Sequence, residues 1–133
     1  MAAVRIHPFL MFQGGVAEAA MKFYVSLFSD GRIVDILRFG AGEQGPEGSI
    51  KTGRIAIGGQ TVMCFDSPVQ HAFDFTPSIS LFVDCESETE IERLNKTLLD
   101  GGEALMPIDS YGFSTRFAWV KDRFGVSWQL NLK

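Results

Sequence analysis

Apolar residues recur along the chain with two different spacings. In residues 17–28 and 88–99 they return every third or fourth position, as on one face of a helix. Gly31 and Gly101-Gly102 follow these segments, and glycine commonly ends a helix. The pattern therefore predicts two helices, each with one apolar face that must pack against a sheet.

The remaining apolar segments are short and bounded by glycine-containing turns, which is typical of strands. They are residues 4–12, 32–39, 50–57, 61–65, 79–84, 103–108, 114–121 and 126–132. The order strand, helix, strand, strand, strand therefore occurs twice.

The two halves also agree in spacing. Gly102 follows Gly31 by 71 residues, and Ser78 follows His7 by 71 residues. A repeated unit that cannot bury its sheet alone is expected to pair with its copy. We predict one α+β domain of two βαβββ modules, residues 4–65 and 78–132, joined by a linker over residues 66–77. Two curved mixed sheets would form a cup, and concave surfaces of this kind bind small ligands.

Composition limits the classes of function. A net charge of −4 argues against a nucleic-acid partner, and no apolar run approaches the length that spans a membrane. The N-terminus lacks the features of a signal peptide, so we expect a cytoplasmic protein. Two cysteines are too few for a disulfide framework. Cys64 lies in an apolar strand, where burial would raise the pKa of its thiol.

Several segments resemble one family. They are residues 6–12, residues 17–28, Gly59, residues 98–102 and the run Asp-Arg-Phe-Gly-Val-Ser-Trp-Gln at residues 122–129. Their order and spacing are similar to the PhnB-like, 3-demethylubiquinone-9 3-methyltransferase-like branch of the vicinal-oxygen-chelate superfamily, which includes glyoxalases, bleomycin-resistance proteins and extradiol dioxygenases. The resemblance implies the paired-module fold and a homodimer, and two-fold dimers are also the commonest soluble assembly.

In metal-using members the resemblance implies four inward-facing ligands. These positions fall at His7, about Met63, Ser78 and Gln129 in this sequence. Only His7 and Gln129 can bind a metal in the expected way, whereas a catalytic zinc or ferrous ion needs at least three suitable ligands. We therefore predict no bound metal and no cofactor.

The candidate ligand-binding residues each have two interpretations. His7 is the best candidate for a catalytic base, but a lone histidine is more often structural, and its face depends on strand register. Gln129 can orient a substrate carbonyl or be satisfied by its neighbours. Arg54 and Arg116 can bind an anionic ligand or pair with surface carboxylates. The predicted binding set is His7, Met63, Ser78, Arg116 and Gln129.

Other motifs are given structural interpretations. Ser78 and Thr115 lack the partners of a hydrolase triad. Residues 40–45 match a dinucleotide fingerprint, but a loop follows instead of a helix, and we see no unit suited to an adenosyl cofactor. His71 is assigned to a loop, and most aromatic residues to the core.

Three functions remain open. The first is a metal-independent small-molecule-binding protein. The second is a metal-dependent isomerase, lyase or dioxygenase of the same superfamily. The third is a protein that sequesters an aromatic or cationic drug without chemistry.

Overall fold

The computed structural model describes residues 3–133. The chain divides into two compact units, with the boundary between Ala72 and Phe73. Each unit contains one helix and one four-stranded mixed sheet. The repeated order of elements predicted from the sequence is confirmed.

The first unit consists of β1 (Phe9–Phe12), α1 (Ala17–Ser26), β2 (Arg32–Arg38), β3 (Ile50–Ile57) and β4 (Gln60–Asp66). Its strand order is β1-β4-β3-β2. β1 pairs with β4 in parallel, and the other two pairings are antiparallel. A helical crossover connects β1 to the rest of the sheet, as a mixed sheet of this kind requires.

The core of the first unit lies between α1 and one face of its sheet. The helix buries Ala17, Ala20, Met21 and Tyr24, and the sheet buries Ile55, Val62 and Cys64. Full burial of a large apolar side chain typically contributes about 1.5–3 kcal/mol to the free energy of folding. Gly53 leaves room for the end of the Met21 side chain, whose Cε lies 2.6 Å from where a Cβ on Gly53 would stand.

The carboxylate of Asp66 caps the N-terminus of the first helix. Val16 offers no side-chain cap, and instead the buried Asp66 accepts hydrogen bonds from the Ala17 N–H at 2.9 Å and the Ile50 N–H at 2.8 Å. An acid at this end also complements the helix dipole. These hydrogen bonds hold the helix against the sheet. Asp66 is the last residue of β4, whereas the sequence predicted it to lie in the linker.

The second unit consists of β5 (Leu81–Asp84), α2 (Glu88–Leu99), β6 (Glu103–Asp109), β7 (Arg116–Lys121) and β8 (Ser127–Leu132). Its strand order, β5-β8-β7-β6, repeats that of the first unit. β5 pairs with β8 in parallel.

The helix of the second unit has a complete N-terminal cap. Ser87 Oγ accepts a hydrogen bond from the Glu90 N–H, and the Glu90 carboxylate accepts one from the Glu86 N–H. This reciprocal arrangement satisfies two N–H groups that the helix cannot satisfy itself. Ile91, Leu94 and Leu98 form the buried face of α2, as their spacing predicts.

The turn before β8 is held by a second buried acid. Asp122 Oδ1 accepts hydrogen bonds from the backbone N–H groups of Phe124 and Val126, at 2.8 and 3.0 Å. Its Oδ2 accepts one from Trp128 Nε1 at 2.9 Å. Gly125 completes the turn with a φ of 91°, a conformation that favours glycine.

Three other expectations can be compared with the structure. Residues 40–49 form a turn-rich loop, which confirms that the glycine motif does not open a helix. The first strand begins at Phe9 instead of Val4. The expectation that aromatic residues mainly fill the core holds for Trp128, Phe12 and Tyr24, whereas Phe9, Phe73, Phe82, Tyr111 and Phe113 are exposed.

Over residues 3–133, no helix has the length and apolar character needed to cross a membrane.

Candidate functional site

The sheet of the second unit has one face covered by α2 and one that points away from it. Because side chains alternate along a strand, Trp128, Leu130 and Leu132 share the helix side, and Ser127, Gln129 and Asn131 share the other. We call the side away from the helix the helix-free face of each unit. Gln129 occupies the centre of this face in the second unit.

Two aromatic residues flank Gln129. In the strand register, Phe82 of β5 lies opposite Gln129 on one side and Trp119 of β7 on the other. Phe82 is 56% exposed, and Trp119 is partly buried. The amide therefore lies between two ring-bearing positions.

A polar network connects Gln129 to its neighbours. Gln129 Nε2 donates a hydrogen bond to Ser80 Oγ at 3.2 Å, and Ser80 Oγ lies 2.6 Å from Ser127 Oγ. Ser127 Oγ also accepts a hydrogen bond from Trp119 Nε1 at 2.8 Å. We call these four residues the Gln129 network. None of the four side chains carries a formal charge.

The far end of the same face is more acidic and aromatic. Asn131 Nδ2 donates a hydrogen bond to Asp84 Oδ1 at 3.3 Å, and Asn131 Oδ1 accepts one from Ser114. Phe117 lies opposite Asn131 and packs against Phe113, with ring centroids 5.0 Å apart. The helix-free face therefore combines neutral hydrogen-bonding groups with aromatic surface.

The corresponding face of the first unit has a different character. Met63 lies opposite Phe9 on one side and Arg54 on the other. Phe9 packs against Phe65 with ring centroids 4.8 Å apart, and the Arg54 guanidinium lies 3.8 Å from the Asp35 carboxylate. This face is mainly apolar with an exposed ion pair, and no network like that of Gln129 is found on it among the first-unit residues that the structure describes.

His7 lies just before β1, two residues ahead of Phe9. Its Nδ1 is buried, and no residue in the described part of the chain forms a hydrogen bond with that atom. A buried nitrogen without a partner is unusual and marks a place where a further polar group would be favourable.

The strand registers assign a different serine to the position equivalent to His7. His7 comes two residues before the partner of Met63, and Ser80 comes two residues before the partner of Gln129. If Met63 and Gln129 are equivalent, the counterpart of His7 is therefore Ser80. Ser78 instead lies in an exposed turn before β5, where its hydroxyl is 2.6 Å from Thr76 Oγ1. The sequence did not identify Ser80, because the 71-residue offset aligned His7 with Ser78, and a small shift in register between distant strands changes which residue is equivalent.

Arg116 lies on the opposite side of the sheet from Gln129. It pairs with Leu132 in the register, and its guanidinium is 3.9 Å from Glu88 and 3.6 Å from Glu92 of α2. Of the two interpretations for Arg116, the structure shows pairing with carboxylates. The structure therefore brings Gln129 together with Ser80 and not with Arg116 or Ser78.

The remaining candidates have structural surroundings. His71 lies in a loop, where its backbone N–H donates to Gln13 Oε1, and the loop assignment is confirmed. Burial raises the pKa of the Cys64 thiol to about 12 and that of Cys85 to about 11. These raised values confirm the expectation for Cys64 and leave little reactive thiolate at neutral pH.

The side chains at the implied metal positions do not fit a divalent cation. They are an imidazole, a thioether, a serine hydroxyl and a carboxamide, with no carboxylate among them. Only the imidazole is a good ligand for zinc or ferrous iron. Within residues 3–133, no three His, Cys, Asp or Glu side chains lie close enough together to hold a metal ion.

Solved structures similar to this chain support the fold assignment. A PhnB protein structure from Bacillus cereus has 47% sequence identity and a TM-score of 0.93, over 98% of this chain and 100% of that chain. Protein PA1353 from Pseudomonas aeruginosa has 27% identity and a TM-score of 0.85, over 98% of each chain. A glyoxylase/bleomycin resistance protein/dioxygenase domain from Frankia has 15% identity and a TM-score of 0.67, over 99% of this chain and 93% of that domain. The last similarity concerns the fold alone and confirms the predicted fold class.

The comparison with family models gives the same assignment. No curated protein matches the chain. The model described as 3-demethylubiquinone-9 3-methyltransferase matches residues 4–131, almost the whole length. The chain therefore belongs to the 3-demethylubiquinone-9 3-methyltransferase (PhnB-like) family.

Proposed function

We propose that the protein binds a small molecule on the helix-free face of the second unit, without a metal ion. The Gln129 network carries this proposal, because it places a carboxamide and a hydroxyl beside an exposed aromatic ring. Small-molecule sites typically combine apolar surface with a few polar groups that fix the orientation of the ligand.

The chemistry of the side chains supports a site without a metal ion. The resemblance implies metal-ligand positions at Met63 and Ser78, and the strand register aligns Ser80 instead of Ser78 with His7. None of these three side chains supplies the charge or basicity that offsets dehydration of a divalent ion. The amide of Gln129 already donates to Ser80. These side chains are better suited to hydrogen bonding with an organic ligand.

The two tryptophans allow binding to be measured locally. Trp119 Nε1 belongs to the Gln129 network, whereas Trp128 Nε1 donates to the buried Asp122 on the helix side. In a fragment screen followed by proton–nitrogen correlation spectra, we expect some compounds to shift the Trp119 indole signal and leave that of Trp128 unchanged. Gln129→Ala should abolish these shifts, and Gln60→Ala, at an exposed position in β4, should not.

Two results would contradict the proposal. One is a screen in which no compound shifts the Trp119 signal. The other is a stoichiometric metal in purified protein that is lost in His7→Ala and Gln129→Ala, which would favour the metal-dependent isomerase, lyase or dioxygenase.

Drug sequestration is a second candidate, favoured by the exposed aromatic side chains. Phe82 and Phe113 are 56% and 63% exposed, and Tyr111 and Phe113 are stacked with centroids 6.1 Å apart. Planar aromatic drugs would gain by stacking on these rings. Thermal stabilisation by such drugs that is lost in Phe82→Ala or Phe113→Ala would support this function, and indifference to all of them would exclude it.

Methyl transfer is not assigned to these residues. A methyl donor of the adenosyl type is usually held by a glycine-rich turn that opens a helix. Here the glycine-rich segment at residues 40–45 lies between β2 and β3, where Glu43 closes the loop by accepting the Gly40 N–H. The segment does not fit that cofactor.

We also propose that the protein is a homodimer. Val4, Ile6 and Ile79 are 94%, 87% and 75% exposed, and exposed apolar residues of this size are often covered by a partner. Light scattering at micromolar concentration should give the mass of two chains. A monomeric mass would contradict the proposal.

A further inference from the structure

The hydrogen atoms of the Gln129 network indicate which chemical group a ligand presents to it. The inference rests on the proposed binding function and adds the class of ligand. The group that Ser80 presents is set by which oxygen donates in the contact between Ser80 and Ser127.

Burial decides the direction of that hydrogen bond. Ser127 is 2% exposed, and its Oγ already accepts from Trp119 Nε1. If Ser80 were the donor, the Ser127 hydroxyl proton would be left without a partner in the described structure, at the cost of an unsatisfied buried donor. Ser127 therefore donates to Ser80.

The Ser80 oxygen consequently accepts two hydrogen bonds, one from Ser127 and one from Gln129 Nε2. Its own proton has no acceptor among the described residues. A hydroxyl that accepts two bonds in this way is polarised and becomes a better donor. Ser80 thus presents an O–H group.

Gln129 presents the complementary group. Its Nε2 donates to Ser80, and no described residue donates a hydrogen bond to its Oε1. The Oε1 atom can therefore accept a hydrogen bond from a ligand. The network therefore offers one donor and one acceptor next to each other, beside the exposed ring of Phe82.

The charges on the same face disfavour an anionic ligand. The register places Asp84 beside Asn131 and Asp109 beside Phe117, and Lys121 is 3.7 Å from Glu103. The paired strand residues described on this face thus carry three acidic groups and one base, Lys121, which is already paired. A carboxylate or phosphate ligand would meet repulsion without a compensating cation.

We propose that the ligand is a neutral planar molecule with an N–H group directly beside a C=O group, as in a lactam or another cyclic secondary amide. Ser80 donates its proton to the ligand carbonyl, and Gln129 Oε1 accepts from the ligand N–H. The ring of Phe82 packs against the plane of the molecule.

Carbostyril, a bicyclic lactam, is a suitable probe because its analogues change one group at a time. N-methylcarbostyril removes the N–H donor, quinaldic acid replaces the lactam with a carboxylate, and 2-aminoquinolinium, the cation of 2-aminoquinoline protonated on its ring nitrogen, places two donors side by side. The Trp119 indole signal reports binding, and the Trp128 signal is the internal control. We expect carbostyril to bind at least about tenfold more tightly than each analogue, since each leaves a hydrogen bond unmade.

A substitution at Gln129 should change the preference. Gln129→Glu replaces the amide with a group that only accepts, so Ser80 would donate to it and the site would present acceptors alone. This variant should lose about tenfold in affinity for carbostyril and prefer 2-aminoquinolinium, whose two adjacent donors match a carboxylate. Gln60→Glu makes the same chemical change in the first unit and should preserve the original preference. Both tryptophan signals at their usual positions would show that Gln129→Glu is folded.

The outcomes separate the two proposals. Equal binding of carbostyril and N-methylcarbostyril, or an unchanged preference in Gln129→Glu, overturns the lactam assignment. If other fragments shift Trp119 but none of the four probes does, the lactam assignment is overturned and the binding function stands. If no compound shifts Trp119, both are overturned.

Discussion

The helix-free faces of the two units have the same strand order but different chemistry. In the first unit, Met63 lies between Phe9 and Arg54, and in the second, Gln129 lies between Phe82 and Trp119. By contrast, the helix-facing sides of both sheets are apolar and closely packed. Packing against the helix therefore constrains one face of the repeat, while the other face differs in chemistry between the two units.

The two units also differ in where a buried aspartate accepts hydrogen bonds from the backbone. Each contains one buried aspartate that satisfies backbone N–H groups: Asp66 does so at the start of α1 and β3, and Asp122 at the turn before β8. Asp122 additionally accepts from the indole of Trp128. Loss of Asp122 should therefore cost more than loss of Asp66.

The largest effect is expected for Asp122→Ala. It leaves two backbone N–H groups and the Trp128 indole unsatisfied, each at about 1 kcal/mol or more, so the free energy of unfolding should fall by about 3 kcal/mol. Asp66→Ala removes the acceptor of two N–H groups and should cost about 2 kcal/mol. Urea unfolding of both variants measures the difference.

A double variant serves as the control for this first prediction. Asp122→Asn can keep the acceptor for the turn but places an amide N–H against Trp128, so Trp128→Phe should be less costly in that background than in the wild type. Equal costs of Trp128→Phe in the two backgrounds would contradict the role given to Asp122.

An intermediate effect is expected at the packing of Met21 on Gly53. Arg54, which follows Gly53, pairs with Met63 in the first unit. Trp119, which follows Ala118, pairs with Gln129 in the second unit. Gly53 therefore corresponds to Ala118. Gly53→Ala should destabilise the protein by about 1 kcal/mol, because the flexible end of Met21 can move aside. Met21→Ala should be less costly in the Gly53→Ala background than in the wild type, because the added methyl group fills part of the space that Met21 leaves. Additive costs, measured by urea unfolding, would show that the two residues do not share this space.

The smallest effect concerns an ion pair found in the first unit. Arg38 donates two hydrogen bonds to Glu18, at 2.9 and 2.8 Å, and this contact lowers the pKa of Glu18 from 4.5 to about 2. Because the folded-state pKa is depressed, the stabilisation is present above the ordinary pKa and is lost as the pH falls toward about 2. Both side chains are more than a third exposed, so the effect should be below about 1 kcal/mol.

The test of this third prediction compares the wild type with Glu18→Gln. Between about pH 6 and pH 3 the wild type should lose slightly more stability than the variant in urea unfolding. Glu92→Gln, whose ion pair with Arg116 is longer at 3.6 Å, should behave as the wild type does. An equal loss of stability in Glu18→Gln and in the wild type would contradict the lowered pKa of Glu18.

Much of the fold was predictable because helices and central strands leave periodic patterns. Ile91, Leu94 and Leu98 set the position of α2, and the predicted residues 88–99 agree with the helix Glu88–Leu99. The first strand was predicted too long, since Val4 and Ile6 alternate as in a strand but are almost fully exposed. An apolar pattern does not show whether a neighbouring strand is present to pair with it.

The site was less predictable, because it depends on pairing between distant strands. Gln129 could be identified as a candidate, but Ser80 becomes its neighbour only through the register of β5 with β8. Arg116 was placed among the ligand-binding residues because the sequence does not show which side of β7 it occupies. The buried Asp66 and Asp122 resemble surface carboxylates in the sequence, and only tertiary structure supplies the donors that surround them.

A crystallographic fragment screen of the full chain tests directly whether the helix-free face of the second unit binds an organic molecule. We expect density for a planar organic fragment in hydrogen-bonding contact with Gln129 and Ser80, beside the ring of Phe82. Fragments bound only at other places, or an ordered metal ion bound by Gln129 or His7, would contradict it.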